Sequence, residues 1–442
     1  MLRITQAILL FSLAPFLLAN SHFVNWSDKT LCRLAKDSGS EEYRLAAIDR
    51  GLTCSPVNTL IATPKIKIEP EDWITILAAS DVSEDTVRNV RQFDGALDAN
   101  ELKILGISTN RCIAKPHKRT GSRLAATWRQ EISCPAEVFV TSDIGNGTKA
   151  KIEITLGAVA AEWGNYGPVE YWVMGSDKAA AEELIKKYCL RRAKNKNMDF
   201  GKCSDRETRA ANHGLLSYHK LGAKALSTKK WVFSAGFNGG PEWGVLRFSS
   251  SLPLGLENKL GAPAAKDQKQ IMHEYFHGVQ NAHIRALNHQ KRKALEGPVW
   301  FKEGAAEYMA SVTYPKLVLE KKIDHIKNVN WEYDFKKEMR NKLREAKLVN
   351  DKHNCIPQMT NMDYSSSCRR FFYDGGTWAI AYLVSQTNEN VLLKDFYPNL
   401  EKLGWEATFQ KTFQKTSDAF YLEFEDFLKK QLSEVMLILP KH

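Results

Sequence analysis

Residues 262–287 read APAAKDQKQIMHEYFHGVQNAHIRAL, and this stretch decides how the second half of the chain is organised. It predicts a single helix with Pro263 near the first turn, where proline is well tolerated. Residues four positions apart lie one turn apart on the same helix face. His273 and His277 can therefore both direct an imidazole at one metal ion. Glu274, beside the first histidine, is placed to meet a water molecule held by that ion.

The pattern His-Glu-x-x-His on a helix is typical of zinc peptidases, with two ligands and a general base. The alternative is a structural helix that carries two ordinary histidines. A catalytic zinc site takes a third protein ligand and keeps its fourth position for water. Two residues compete for the third place, His283 and Glu303, and the choice decides the class of enzyme.

His283 follows His277 by six positions, as in the HExxHxxGxxH motif of metzincins. A short MDY, Met362 to Tyr364, offers a counterpart of their Met-turn. However, Gln280 stands where the metzincin motif has a glycine that breaks the helix. In an unbroken helix, His283 lies about 240° around the axis from His277 and faces away from the metal.

Glu303 lies on a second predicted helix, opened by Gly297 and Pro298, in the sequence WFKEGAAEY that begins at residue 300. This stretch resembles the second zinc motif of gluzincins, the clan of thermolysin-like and aminopeptidase-like zinc peptidases. The resemblance implies one Zn²⁺ per chain, bound by His273, His277 and Glu303. It also implies that Glu307, four residues on, accepts a hydrogen bond from a ligand imidazole.

Two further stretches extend the resemblance, which covers roughly residues 230–430. FFYDGGTWAIAYLV, residues 371–384, is similar to the downstream gluzincin helix whose tyrosine stabilises an oxyanion. Tyr373 is the matching position. FNGGPEWGVLRFSSS, residues 237–251, lies where gluzincins have a substrate-binding edge strand, although a hairpin turn is an equal alternative. The aminopeptidase element GxMEN is absent, which argues against an aminopeptidase.

The rest of the chain predicts an α+β protein, with a mixed β-sheet subdomain followed by a mainly helical zinc-peptidase subdomain. The apolar runs AEVFVTS, AKIEITLGAVA, VEYWVMG, KWVFSAGF and WGVLRFSSSL predict strands, interrupted by one helix, DKAAAEELIKKYCLRRA. The expected divisions are a signal peptide at 1–21, an N-terminal helical, disulfide-stapled region at 22–130, a β-rich subdomain at 131–260 and a helical catalytic subdomain at 261–442.

The N-terminus and the cysteines both indicate export. An arginine precedes the apolar run AILLFSLAPFLLA, which is shorter than the roughly 20 residues of a spanning helix. The eight cysteines form four sequence-local candidate disulfides. They are Cys32 with Cys54, Cys112 with Cys134, Cys189 with Cys203, and Cys355 with Cys368.

The net charge of +11 is spread along the chain without a nucleic-acid-binding motif, so we expect a solvated basic surface and no specific nucleic-acid partner. Together these features predict a secreted or periplasmic zinc metallopeptidase without a transmembrane segment. Its substrate is a peptide or protein, and Glu274 is the general base. The alternatives are a metzincin-type protease and a non-catalytic cell-envelope binding protein on a gluzincin scaffold.

Overall fold

The structure is a computed structural model. It describes Cys32 and residues 134–195, 197–209, 214–239, 243–284, 286, 288–324, 326 and 333–440. From Cys134 onward these belong to the second of two compact units of the chain, residues 110–442. The predicted signal peptide and, apart from Cys32, the predicted N-terminal helical region lie outside the described residues.

The sheet has four strands in the order β1-β2-β4-β3. The strands are β1 Glu137–Val140, β2 Val169–Val173, β3 Ala235–Gly239 and β4 Leu246–Ser250. β1, β2 and β4 are parallel, whereas β3 lies antiparallel to β4 at the edge. All five residues of β2 are buried, as expected for a parallel strand covered on both faces.

Helices cover both faces of the sheet. The helices between the strands are α1 Asn146–Trp163, α2 Lys178–Lys194, α3 Phe200–Thr208 and α4 Leu215–Thr228. On one face, Phe248 of β4 stacks on Tyr275 of the helix that carries the two histidines. On the other face, Trp172 of β2 packs edge-to-face against Tyr188 of α2, with ring centroids 4.9 Å apart.

The remainder of the described chain is helical. Its α-helices are α5 Ala264–Ala282, α6 His289–Glu296, α7 Val299–Leu319, α8 Phe335–His353, α9 Arg369–Ser385, α10 Tyr397–Leu403, α11 Trp405–Phe413, α12 Ser417–Lys429 and α13 Leu432–Val435. Short 3₁₀ helices occupy Ile356–Asn361 and Met436–Ile438, and a π-helical turn, Leu392–Phe396, precedes α10. The α+β class and the helical second half agree with the sequence. No helix in the described residues combines the length and apolar character needed to cross a bilayer.

Three of the predictions about secondary structure differ from the structure. AKIEITLGAVA is not a strand but lies within α1, Asn146–Trp163. Its buried residues include Ile152, Leu156, Val159 and Trp163, which recur with helical and not two-residue spacing. The helix with the histidines is also shorter than expected, because it ends at Ala282 and His283 is its C-cap. The segment between β2 and β3 holds three helices where the sequence predicted one.

Both candidate disulfides with two described cysteines are present. Cys189 joins Cys203, and Cys355 joins Cys368. Cys32 and Cys134 are also disulfide-bonded. The other two predicted pairs involve residues outside the described part, so their connectivity stays a prediction.

Candidate metal centre

Helices α5 and α7 bring three side chains together in the interior. The Nε2 atoms of His273 and His277 lie 3.2 Å apart. Oε2 of Glu303 lies 3.2 Å from the first and 3.3 Å from the second. All three residues are at most 5% exposed. This buried group can hold a metal ion, and it is the one such His, Cys, Asp or Glu group among the described residues.

Hydrogen bonds at the far side of each ring fix which nitrogen faces the group. Nδ1 of His277 lies 2.8 Å from Oε1 of Gln280, which can only accept, so Nδ1 carries the proton. Nδ1 of His273 lies 3.0 Å from Oε2 of Glu307 and donates to that carboxylate. When each ring is neutral, as metal binding requires, its Nε2 lone pair faces Glu303. Three electron-pair donors that converge in the interior are stabilised by a cation between them.

The carboxylates remain charged despite their burial. Burial raises the pKa of Glu303, but His277 and His273 outweigh that effect and hold the pKa well below its usual range. Burial likewise raises the pKa of Glu307, and Lys342, His273 and Lys269 together hold it well below that range. Among the protein groups alone, burial lowers the pKa of His273, and hydrogen bonds with Glu303 and Glu307 overcome this and raise it to about 10. The group thus attracts positive charge, whether a proton or a metal ion.

Glu274 lies beside the group and is held by two donors. Its Oε2 accepts from the backbone N–H of Phe237 at 2.8 Å, and its Oε1 accepts from the amide of Gln270 at 2.8 Å. Phe237 belongs to β3, the edge strand. The predicted base therefore contacts the edge of the sheet. The stretch 237–251 is not one edge strand, because it takes in the end of β3 and all of β4, which pair antiparallel as in the hairpin alternative.

Tyr373 lies on α9 with its ring centroid 6.3 Å from that of His273. Burial raises its pKa, and Glu303 and Glu274 raise it further, so its hydroxyl keeps the proton at neutral pH. The predicted residues His273, Glu274, His277, Glu303, Glu307 and Tyr373 are all brought together at this centre.

His283 is not part of the ligand group. Its ring packs against Tyr166, at a centroid distance of 4.8 Å, and stacks on Tyr397 at 6.3 Å. The ring thus lies in an aromatic environment on the side of α5 that faces α10. This placement favours Glu303 over His283 as the third ligand.

Sequence reasoning missed the residues that orient the site. Gln280 lies three positions after His277, and Gln270 four before Glu274, so helical spacing could have found both. Tyr364 donates its hydroxyl hydrogen bond to Oε1 of Glu303. In the sequence it was noted only as part of MDY, the possible counterpart of a Met-turn. Lys342 of α8, 3.0 Å from Oε1 of Glu307, had no local signal, because its partner lies on another helix.

Compared with protein-family models, curated proteins and solved structures, the chain shows no significant match to any of them.

Proposed function

We propose that this protein is a zinc-dependent peptidase of the gluzincin type, with Zn²⁺ held by His273, His277 and Glu303. The observation that carries the proposal is the triangle of Nε2, Nε2 and Oε2, with sides of 3.2, 3.2 and 3.3 Å. Zinc bonds of about 2.0–2.1 Å in tetrahedral geometry place neighbouring ligand atoms about 3.3–3.4 Å apart. The donor set of two imidazoles and one carboxylate also suits zinc.

Zinc bound there supplies a water molecule of lowered pKa and withdraws electrons from a substrate carbonyl. Side chains of the protein would carry out the proton transfers and stabilise the developing negative charge. Glu274 takes the proton from the attacking water and passes it to the leaving amine. Its two donors, the N–H of Phe237 and the amide of Gln270, fix the carboxylate for both transfers. Tyr373 keeps its phenolic proton and donates to the substrate oxygen as negative charge develops on it.

The edge of the sheet supports a peptide substrate. The N–H of Phe237 points away from β4 towards Glu274, so the outer edge of β3 is next to the base. An extended peptide can add to such an edge through backbone hydrogen bonds.

We favour a catalytic metal site over a purely structural one. Glu274 is not needed to hold the ion, so its position is better explained by a role as general base. The test compares the wild-type protein, Glu274→Gln and a distant control, Glu162→Gln, all loaded with zinc. Each is incubated with an internally quenched peptide library. We expect cleavage by the wild type and the control, and a loss of about 10²–10⁴-fold in Glu274→Gln with zinc content unchanged.

Equal cleavage by Glu274→Gln would refute the assigned base. The absence of cleavage of any peptide by fully loaded wild-type protein would favour the alternative of a non-catalytic binding protein.

A further inference from the structure

The two carboxylate oxygens of Glu303 have different surroundings. Oε2 faces His273 and His277, at 3.2 and 3.3 Å. Oε1 accepts a hydrogen bond from the hydroxyl of Tyr364. Glu303 is only 4% exposed, whereas Tyr364 is 47% exposed, so an accessible side chain reaches in to hold a buried one.

The segment that carries Tyr364 is held in place by its flanking helices, a disulfide and a ring contact. It lies between the 3₁₀ helix Ile356–Asn361 and the start of α9. The disulfide between Cys355 and Cys368 brackets it. The ring of Tyr364 packs edge-to-face on Phe372 of α9 at 5.4 Å. The hydroxyl therefore approaches Glu303 from a fixed direction.

We propose that Tyr364 is a positioning residue, which holds Oε1 of Glu303 so that the carboxylate offers only Oε2 to the metal ion. This inference rests on the zinc site proposed above. A carboxylate can bind a metal ion through one oxygen or through both. A hydrogen bond to the outer oxygen favours binding through one, which keeps the coordination number at four and leaves a place for water.

Tyr364 and Tyr373 then have separate tasks. Tyr364 contacts the ligand Glu303 and acts on how the metal is bound. Tyr373 acts on the substrate. Removing the hydroxyl of Tyr364 should therefore change metal binding in the absence of any substrate, a readout that does not depend on peptidase activity.

The experiment measures zinc affinity by competition with a chromophoric chelator, for the wild type, Tyr364→Phe and the control Tyr382→Phe. Phenylalanine keeps the ring contact with Phe372, and Tyr382 lies on α9 among Phe420, Phe424 and Phe427. We expect about 10- to 100-fold weaker zinc binding in Tyr364→Phe, the usual effect of losing a hydrogen bond to a metal ligand, and no change in the control.

The visible spectrum of the cobalt(II) form provides a second readout, because four-coordinate cobalt(II) absorbs much more strongly than five-coordinate cobalt(II). We expect Tyr364→Phe to absorb more weakly than the wild type, since Oε1 becomes free to bind. Equal zinc affinity and equal spectra in the two proteins would overturn the role of Tyr364 and leave the zinc site intact. Failure of the wild type itself to bind zinc or cobalt would overturn the proposed function and this inference together.

Discussion

Gly304 of α7 and Gly376 of α9 face each other where the two helices cross. A Cβ added at Gly304 would lie 2.4 Å from the carbonyl carbon of Gly376. A Cβ added at Gly376 would lie 2.6 Å from the carbonyl oxygen of Trp300. The absence of a side chain at both positions lets the backbones approach closely. This approach carries Tyr373 towards the centre and keeps Glu303 next to α9.

Gly304→Ala should therefore damage both the fold and the site. The added methyl group meets backbone atoms that cannot rotate away, so we expect a loss of about 1–3 kcal/mol in the free energy of unfolding, together with weaker metal binding. Gly157→Ala is the matched control, because its Cβ meets nothing within 4 Å in the middle of α1. That change should stabilise the protein by about 0.5–1 kcal/mol. Chemical denaturation of the two variants measures whether each substitution lowers or raises the free energy of unfolding.

Gln280→Leu should weaken metal binding by about 10- to 100-fold, because His277 loses the acceptor that fixes its tautomer. The amide of Gln280 also donates to the carbonyl of Lys302 and to the hydroxyl of Tyr397, both at 2.9 Å. Leaving these groups unpaired should cost about 1–3 kcal/mol of stability.

Gln268→Leu provides the comparison for Gln280→Leu. Gln268 lies on the same helix and is 2% exposed, against 3% for Gln280. Within the described part of the chain, its side chain makes one hydrogen bond, a long one to the hydroxyl of Thr155 at 3.5 Å. Its substitution should leave zinc affinity unchanged when both variants are titrated against the same chelator. Equal loss in the two variants would mean that Gln280 acts through packing alone.

The two described disulfides are expected to differ in function, although the loops that they close are similar in length. They close loops of similar length, with sequence separations of 14 for Cys189–Cys203 and 13 for Cys355–Cys368. Removing either pair by double alanine substitution should cost about 3 kcal/mol of stability. Only the loss of Cys355 and Cys368 should also weaken zinc binding, because that pair brackets Tyr364. Isothermal titration of zinc into both double variants distinguishes the cases.

Asp267 predicts a pH dependence of stability. Its Oδ2 accepts the N–H groups of Gly255 and Leu256, but burial raises its pKa to about 7. Because the unfolded chain has the ordinary pKa near 4, the folded state holds more protons between about pH 4 and pH 7. The free energy of unfolding should therefore fall as the pH rises through this window.

The measurement is the difference between wild type and Asp267→Asn, unfolded in denaturant from pH 4 to pH 8 with metal chelated throughout. Asparagine can accept the same two N–H groups and does not titrate. As the pH rises, the free energy of unfolding of the wild type should fall relative to that of Asp267→Asn. Above pH 7 the difference should become constant. A difference that is constant across this range would contradict the buried, raised pKa.

Local patterns in the sequence were sufficient to predict much of the centre. His273, Glu274 and His277 were identified from spacing on one helix, whereas Glu303 and Glu307 were identified from the resemblance of WFKEGAAEY to the second gluzincin zinc motif. These residues are close in sequence within each motif, and a helix turns such spacing into a shared face. The proximity of the two motifs followed only from the resemblance to gluzincins.

Features that depend on tertiary packing were not predictable in the same way. The β-branched residues of AKIEITLGAVA indicated a strand, but burial of Ile152, Leu156 and Val159 along one helix face decided the outcome. Tyr364 and Lys342 reach the centre from a loop and from α8. No pattern within either segment encodes a partner that lies tens of residues away.

The proposed zinc site is tested most directly by the metal content per chain, measured by elemental analysis on wild type, Glu303→Ala and His283→Ala purified together. We expect one zinc in the wild type and in His283→Ala, and little in Glu303→Ala. Loss of zinc in His283→Ala with retention in Glu303→Ala would contradict the assignment of the third ligand. The absence of zinc from all three proteins after reloading would contradict the metal centre itself.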